Sequence, residues 1–184
     1  STAIIDFPYC LIMPGLIDMH AHPAPSDWKY GMDADSEVLP RGTTTILSQG
    51  DAGAKVWDQY LEDVIFASET RILMAISPSA QGESEHRPAL GNMEDIDITQ
   101  CVNTIRRGGQ HIWGISINLN PGVIGTNDPK QIMNQTLDAA EQTGKSLLFG
   151  ARIETDEWPL EDQLDTLRPS DVVTYCFRNN TQSI

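Results

Sequence analysis

The chain has 184 residues, and its 26 acidic and 12 basic side chains give it a formal net charge of −14 at pH 7. This balance argues against a nucleic-acid-binding or anionic-membrane-binding surface, because either partner requires a basic face. A hydrophobic fraction of 40% with 21% charged residues is typical of a globular protein. The chain contains no apolar run of about 18 residues that could span a membrane. Its first residues lack the features of a signal peptide, so we expect a cytoplasmic protein.

Short apolar runs alternate along the chain with stretches of helical periodicity. Most of these runs are nearly continuous in apolar residues, as in parallel strands that are covered on both faces. The predicted strands cover residues 15–20, 43–48, 72–76, 112–119, 146–149 and 171–177.

Four helices are predicted between these strands, together with a short one between the first two. The third helix begins at Asp128-Pro129, a typical N-cap followed by proline, and ends at Gly144. The other three cover residues 56–68, 98–107 and 160–167. This alternation predicts an α/β fold with a parallel sheet, either an open doubly wound sheet or part of a barrel. No Gly-x-Gly-x-x-Gly motif follows the first strand, which disfavours a dinucleotide-binding sheet.

Two histidines stand at the end of the first predicted strand. His20 and His22 are two residues apart and therefore point to the same side of the strand. Their imidazoles could bind one ion, and zinc, iron, nickel or manganese would be compatible. The carboxyl end of a parallel strand is also the usual active-site side of such folds. The alternative is a turn or surface feature, because metal sites usually need three or more ligands.

The sequence MPGLIDMHAH at 13–22 resembles the first-strand signature of the amidohydrolase superfamily, which are metal-dependent hydrolases built on a (β/α)8 barrel. The segments RGTTT at 41–45 and LRPSDVVTYCF at 167–177 resemble the second-strand entry and the sixth-strand region of its dihydroorotase-like and deacetylase branch. The resemblance implies a TIM-barrel fold. It assigns residues 1–12 to the end of a preceding small β domain and 13–184 to strands 1–6. About six of the eight β-α units of a barrel would then be present.

The resemblance also implies a hydrolase that acts on non-peptide C–N bonds of amides or cyclic amides through a metal-activated water. His20 and His22 would bind one divalent metal ion, with zinc as the first choice. Where that branch commonly carries a carboxylated lysine and two histidine ligands, this chain has Ser116, Gly150 and Tyr175. A carboxylated lysine is therefore not expected. Tyr175 could be a ligand, a hydrogen-bond donor to a substrate, or a filler of the vacated space.

These three substitutions keep two alternatives open. One is a catalytically decayed protein that retains the barrel for binding or assembly; the other is a lyase or isomerase with Tyr175 as acid-base. Tyr175 and Asp51 are the catalytic candidates, and Asp51 could instead support a metal ligand or cap the loop after the second strand. Arg87 and Arg152 are the substrate-binding candidates, because they lie in loops after the third and fifth strands. For Arg87 the alternative is a solvated loop in which nearby glutamates pair its charge.

A barrel of six strands leaves two open sheet edges and an uncovered core. We therefore expect the remaining barrel segment to come from the same chain or from a second chain, and we expect an oligomer. The expected ligand is a small-molecule substrate, with neither nucleic acid nor membrane as a partner.

Overall fold

The computed structural model describes residues 3–24, 28, 31–83, 88–151 and 158–176. Its strands are β1 (Leu16–Ala21), β2 (Thr43–Gln49), β3 (Arg71–Ile76), β4 (Ile112–Asn118), β5 (Ser146–Gly150) and β6 (Val172–Thr174). They form one sheet in the order β1-β2-β3-β4-β5-β6, in which every neighbouring pair is parallel. All six predicted strands are confirmed, and the parallel sheet with them.

The helices are α1 (Ala34–Glu37), α2 (Trp57–Tyr60), α3 (Ile98–Gly108), α4 (Pro121–Ile124), α5 (Pro129–Thr143) and α6 (Leu160–Asp165). Capping side chains set the ends of the two longest ones. The Asp97 carboxylate accepts the amide of Gln100 at the start of α3, and Asp128 accepts that of Lys130 at the start of α5. Gly144 ends α5 with a φ of 64°, as glycine readily does.

Three elements differ from their predictions. The single helix expected over 56–68 is α2 followed by a π-helical turn at Leu61–Ile65, in which the Phe66 amide reaches back to the Leu61 carbonyl. The short helix α4 was not predicted. Strand β6 ends at Thr174, earlier than expected, because Tyr175 has a φ of 63°, and this left-handed conformation cannot continue an extended strand.

The two faces of the sheet bury different sets of side chains. One face packs against the helices and contains most of the large core residues, among them Ile46, Met74, Ile115, Ile117 and Phe149. The other face carries a second cluster of Leu47, Ala75 and Leu148, with Leu73, Trp113 and Val172 against it. This alternation is the pattern of a barrel wall, with helices outside and a filled interior.

The first and last strands of the sheet meet. In a flat six-stranded sheet, with neighbouring strands about 4.8 Å apart, β1 and β6 would be separated by roughly 24 Å. Yet His20 Nδ1, on β1, lies 2.5 Å from Thr174 Oγ1, on β6. The sheet therefore curls round until the two strands touch through their side chains, and the fold is a nearly closed α/β barrel of TIM type with six strands, as predicted.

Strand β1 is uncovered on both of its faces. Leu16, Ile17 and Met19 are exposed, and so are the apolar side chains of the preceding segment. Residues 3–12 contain no strand, and the assignment of residues 1–12 to a small β domain stays a prediction. Within the described ranges, none of the helices combines the length and apolarity that crossing a bilayer requires.

Candidate active site

The two histidines lie together at the mouth of the barrel. His20 is near the end of β1 and His22 follows the strand directly, so both rings lie on its inner side. The ring centroids are 5.7 Å apart, with their planes inclined at 74°. Both side chains are half-buried, which leaves them accessible from the mouth.

Asp51 holds the His22 ring. Its Oδ1 lies 2.6 Å from His22 Nδ1, and the carboxylate is buried just beyond the end of β2. Because a carboxylate only accepts hydrogen bonds, Nδ1 carries the proton and Nε2 carries the lone pair. This carboxylate–imidazole pair is the usual support of a metal-binding histidine.

Asp51 is itself fixed by two buried hydroxyl groups. Ser48 Oγ donates to Asp51 Oδ2 at 2.8 Å, and the Tyr60 hydroxyl lies 3.2 Å from the same oxygen and 2.6 Å from the Pro23 carbonyl oxygen. Burial, reinforced by the charge of Asp51, raises the pKa of Tyr60 well above its usual value, so the phenol remains a hydrogen-bond donor. The network places Asp51 in a positioning role toward His22.

The His20 ring is fixed on its Nδ1 side by Thr174, at the 2.5 Å contact between β1 and β6. The Asp18 carboxylate accepts the backbone amide of His20 at 3.0 Å. With Nδ1 engaged in both histidines, Nε2 is the atom through which either ring could bind a metal ion.

Tyr175 closes the other side of the His20 ring. Its ring packs edge-on against His20 with centroids 4.6 Å apart, and its hydroxyl donates to Gln49 Oε1 at 3.2 Å. A Cβ added at Gly150 would lie only 3.2 Å from the Tyr175 ring. The phenol therefore occupies the space that a side chain at the end of β5 would need, and its left-handed backbone is a strained conformation of the kind found at functional sites.

Ser116 lies on the interior side of β4, between Ile115 and Ile117 of the helix-facing core. It is 2% exposed. A Cβ at Gly50 would lie 3.3 Å from Ser116 Oγ and 3.4 Å from Glu83 Oε1, so both side chains border the space beyond the end of β2.

Two bacterial proteins resemble this chain in sequence. Deacetylase Atu3266 of Agrobacterium fabrum is 26% identical over 191 residues, which cover 100% of this chain and 45% of that protein. A deacetylase of Brucella anthropi is 27% identical over 180 residues, or 94% of this chain and 42% of that protein. The chain thus spans about half the length of the curated relatives it matches. No protein-family model matches the chain.

Two solved structures resemble it in fold. A dihydroorotase superposes with a TM-score of 0.80 at 23% identity, over 92% of this chain and 47% of the other. An adenine deaminase superposes with a TM-score of 0.83 at 19% identity, over 93% and 45%. The resemblance to the amidohydrolase superfamily is confirmed. These neighbours also confirm the TIM-barrel fold class.

The residues present provide only part of the metal-ligand set that the amidohydrolase resemblance implies. Within the part of the chain that the structure describes, no three or more His, Cys, Asp or Glu side chains form a group that could hold a metal. His20 and His22 fit two ligand positions, while Ser116, Gly150 and Tyr175 bring no histidine or lysine. A catalytic zinc usually has three protein ligands.

The remaining predicted residues divide into two groups. Asp51 and Tyr175 lie at the histidine pair, whereas Arg87 and Arg152 lie outside the described residues. The sequence analysis did not identify Thr174 as a partner of His20, or Ser48 and Tyr60 as partners of Asp51. Because Val172 faces the barrel interior, strand alternation places the Thr174 side chain on the same face. Nothing in the sequence indicates that it meets His20 there. Tyr60 lies within the helix predicted over 56–68, and helical periodicity does not indicate its contact with Asp51.

Proposed function

We propose that this chain forms the first six β-α units of a metal-dependent hydrolase that cleaves C–N bonds of amides or cyclic amides. The observation that carries the proposal is the pair His20 and His22, each held at Nδ1, so that Nε2 is the ring atom through which either could bind a metal ion. The relatives named deacetylase and dihydroorotase support hydrolysis of C–N bonds.

His20 and His22 would hold one divalent ion, with zinc as the first choice, and other ligands would come from elsewhere. When bound, such an ion supplies a Lewis acid for the substrate carbonyl and lowers the pKa of water. Asp51 keeps the proton on His22 Nδ1, which makes Nε2 the better electron donor. Thr174 fixes the angle of the His20 ring. Tyr175 packs its ring against that of His20 and orients Gln49 by donating its hydroxyl proton to Oε1.

The test is metal dependence. We expect the purified protein to contain about one equivalent of zinc or another divalent ion. We also expect it to hydrolyse an N-acetylated amine or a cyclic imide. Dialysis against a chelator should abolish hydrolysis, and added zinc should restore it, with circular dichroism as the control for folding. Metal-free protein as isolated, or hydrolysis that survives chelation, would contradict the proposal.

The decayed-barrel alternative draws support from Ser116, Gly150 and Tyr175, which leave the described residues without a full ligand set. The same experiment separates the two functions. A decayed binding protein carries no stoichiometric metal and hydrolyses none of these substrates. A lyase or isomerase would bind metal and fail only the hydrolysis assay.

We also propose that a further barrel segment, from the same or a second chain, covers the exposed residues of β1. Leu16 and Ile17 are 51% and 64% exposed, which is unusual for residues in a barrel wall. In β6 the pairing partner on one side is missing from the sheet order of the described residues. A stable solution monomer consisting of this 184-residue chain alone would contradict this assembly.

A further inference from the structure

Two buried polar groups on the interior wall have no hydrogen-bond partner in the described part of the chain: Gln49 Nε2 and Ser116 Oγ. Their residues are 0% and 2% exposed. Buried polar groups are almost always paired, and leaving one unpaired costs about 1–3 kcal/mol. Two such groups on one wall therefore call for an explanation.

Both groups face the same interior. Gln49 follows Leu47 by two residues in β2, and Leu47 belongs to the interior cluster. Ser116 borders the space beside Gly50, the residue that follows Gln49. The Tyr175 hydroxyl donates to Gln49 Oε1, which directs the NH₂ group of that amide elsewhere. The wall thus offers two hydrogen-bond donors, and Gln49 is joined to the histidine pair through Tyr175, which packs against His20.

We propose that Gln49 Nε2 and Ser116 Oγ form a subsite for a neutral carbonyl oxygen of the ligand, as in a carboxamide, lactam or cyclic imide. Two donors suit an oxygen that only accepts hydrogen bonds. We expect a neutral oxygen because Oε1 of the buried Glu83 borders the same space beside Gly50 as Ser116 Oγ, so that a carboxylate ligand there would lie near a second carboxyl group. This subsite rests on the proposed function only in identifying the ligand as the substrate.

The first test is the thermal stability of the Ser116→Ala variant, without added ligand. Removing an unpartnered buried hydroxyl should raise the Tm by about 2–4 °C. The matched control is Ser48→Ala, which removes an equally buried hydroxyl that donates to Asp51, and its Tm should fall. A Tm that falls in Ser116→Ala would show that this hydroxyl is already satisfied, and it would overturn the subsite.

The second test measures ligand binding to the native protein by NMR. The neutral carbonyl probe is 2-pyrrolidone, and acetate is the charged comparison. We expect 2-pyrrolidone to bind more tightly than acetate. We expect Ser116→Ala and Gln49→Leu each to weaken 2-pyrrolidone binding by about threefold to tenfold, the effect of one neutral hydrogen bond.

Unchanged 2-pyrrolidone affinity in both variants would overturn the subsite, since the two groups would then hold at most a structural water. Tighter binding of acetate would overturn its preference for a neutral oxygen. Neither readout requires turnover or a metal. A negative result in the hydrolysis assay would therefore not contradict the subsite, and a negative result in the binding test would not contradict the proposed metal dependence.

Discussion

Replacing both His20 and His22 by alanine is expected to remove the bound metal completely while the barrel stays folded. The rings supply the only two imidazoles at the mouth within the described residues, and both are half-buried, so their loss removes little core packing. Metal content by mass spectrometry and secondary structure by circular dichroism measure the two effects. Stoichiometric metal in the double variant would show that the ion binds elsewhere.

Asp51→Ala provides a graded comparison for the same site. It removes the acceptor of His22 Nδ1–H but keeps both imidazoles, so metal affinity should fall by about 10- to 100-fold instead of vanishing. The matched control is His111→Ala. His111 precedes β4 at the opposite end of the strands and packs against Phe66, with ring centroids 5.2 Å apart. Its replacement should leave metal content unchanged; a loss of metal there would point to a general effect of histidine removal.

Asp171→Ala is expected to lower the free energy of unfolding by about 3 kcal/mol. The side chain is 0% exposed, and it accepts the Leu147 amide at 2.7 Å and the Arg168 amide at 2.9 Å. It also accepts two bonds from the Arg168 guanidinium, which in turn donates to the Lys145 carbonyl. Removing the carboxylate leaves these donors at the start of β5 and β6 without an acceptor.

Urea denaturation measures this loss. Asp165→Ala is the control, because Asp165 is an exposed carboxylate at the end of α6 and its removal should change the unfolding free energy by less than about 0.5 kcal/mol. Equal effects of the two substitutions would mean that the Asp171 network contributes nothing beyond its charge.

The Asp171 effect should also depend on pH. Burial alone would raise the pKa of Asp171, but hydrogen bonds from Arg168 and from two backbone amides outweigh it and lower the pKa. In the unfolded chain the pKa of an aspartate is about 3.9. A lowered folded-state pKa gives a contribution that is complete above that value and is lost as the pH falls through the folded pKa. The difference between wild type and Asp171→Ala should therefore be larger at pH 7 than at pH 2.

The strands and the histidine pair could be predicted from the sequence for clear physical reasons. Parallel strands buried on both faces are continuous apolar runs, which short-range periodicity detects. His20 and His22 could be placed together because strand alternation relates residues two apart. Asp128 and Gly144 marked the ends of α5 through local backbone requirements.

The rest of the site depends on contacts that no local pattern encodes. Thr174 meets His20 only because the sheet curls, and a periodicity argument gives strand order without curvature. Tyr60 reaches Asp51 because the helix after β2 folds back over the strand ends. The early end of β6 follows from the left-handed conformation of Tyr175. Tyrosine rarely adopts this conformation, so the sequence does not predict it.

The contact between His20 and Thr174 joins residues 154 positions apart in the chain. A contact of such long sequence separation carries a loop-closure entropy cost that must be overcome before the contact stabilises anything. Each neighbouring pair of strands can form from nearer contacts, but the fixed His20 ring cannot exist until the last strand arrives. The candidate site therefore depends on the complete sheet, since a chain in which β6 has not joined lacks the contact that fixes the His20 ring.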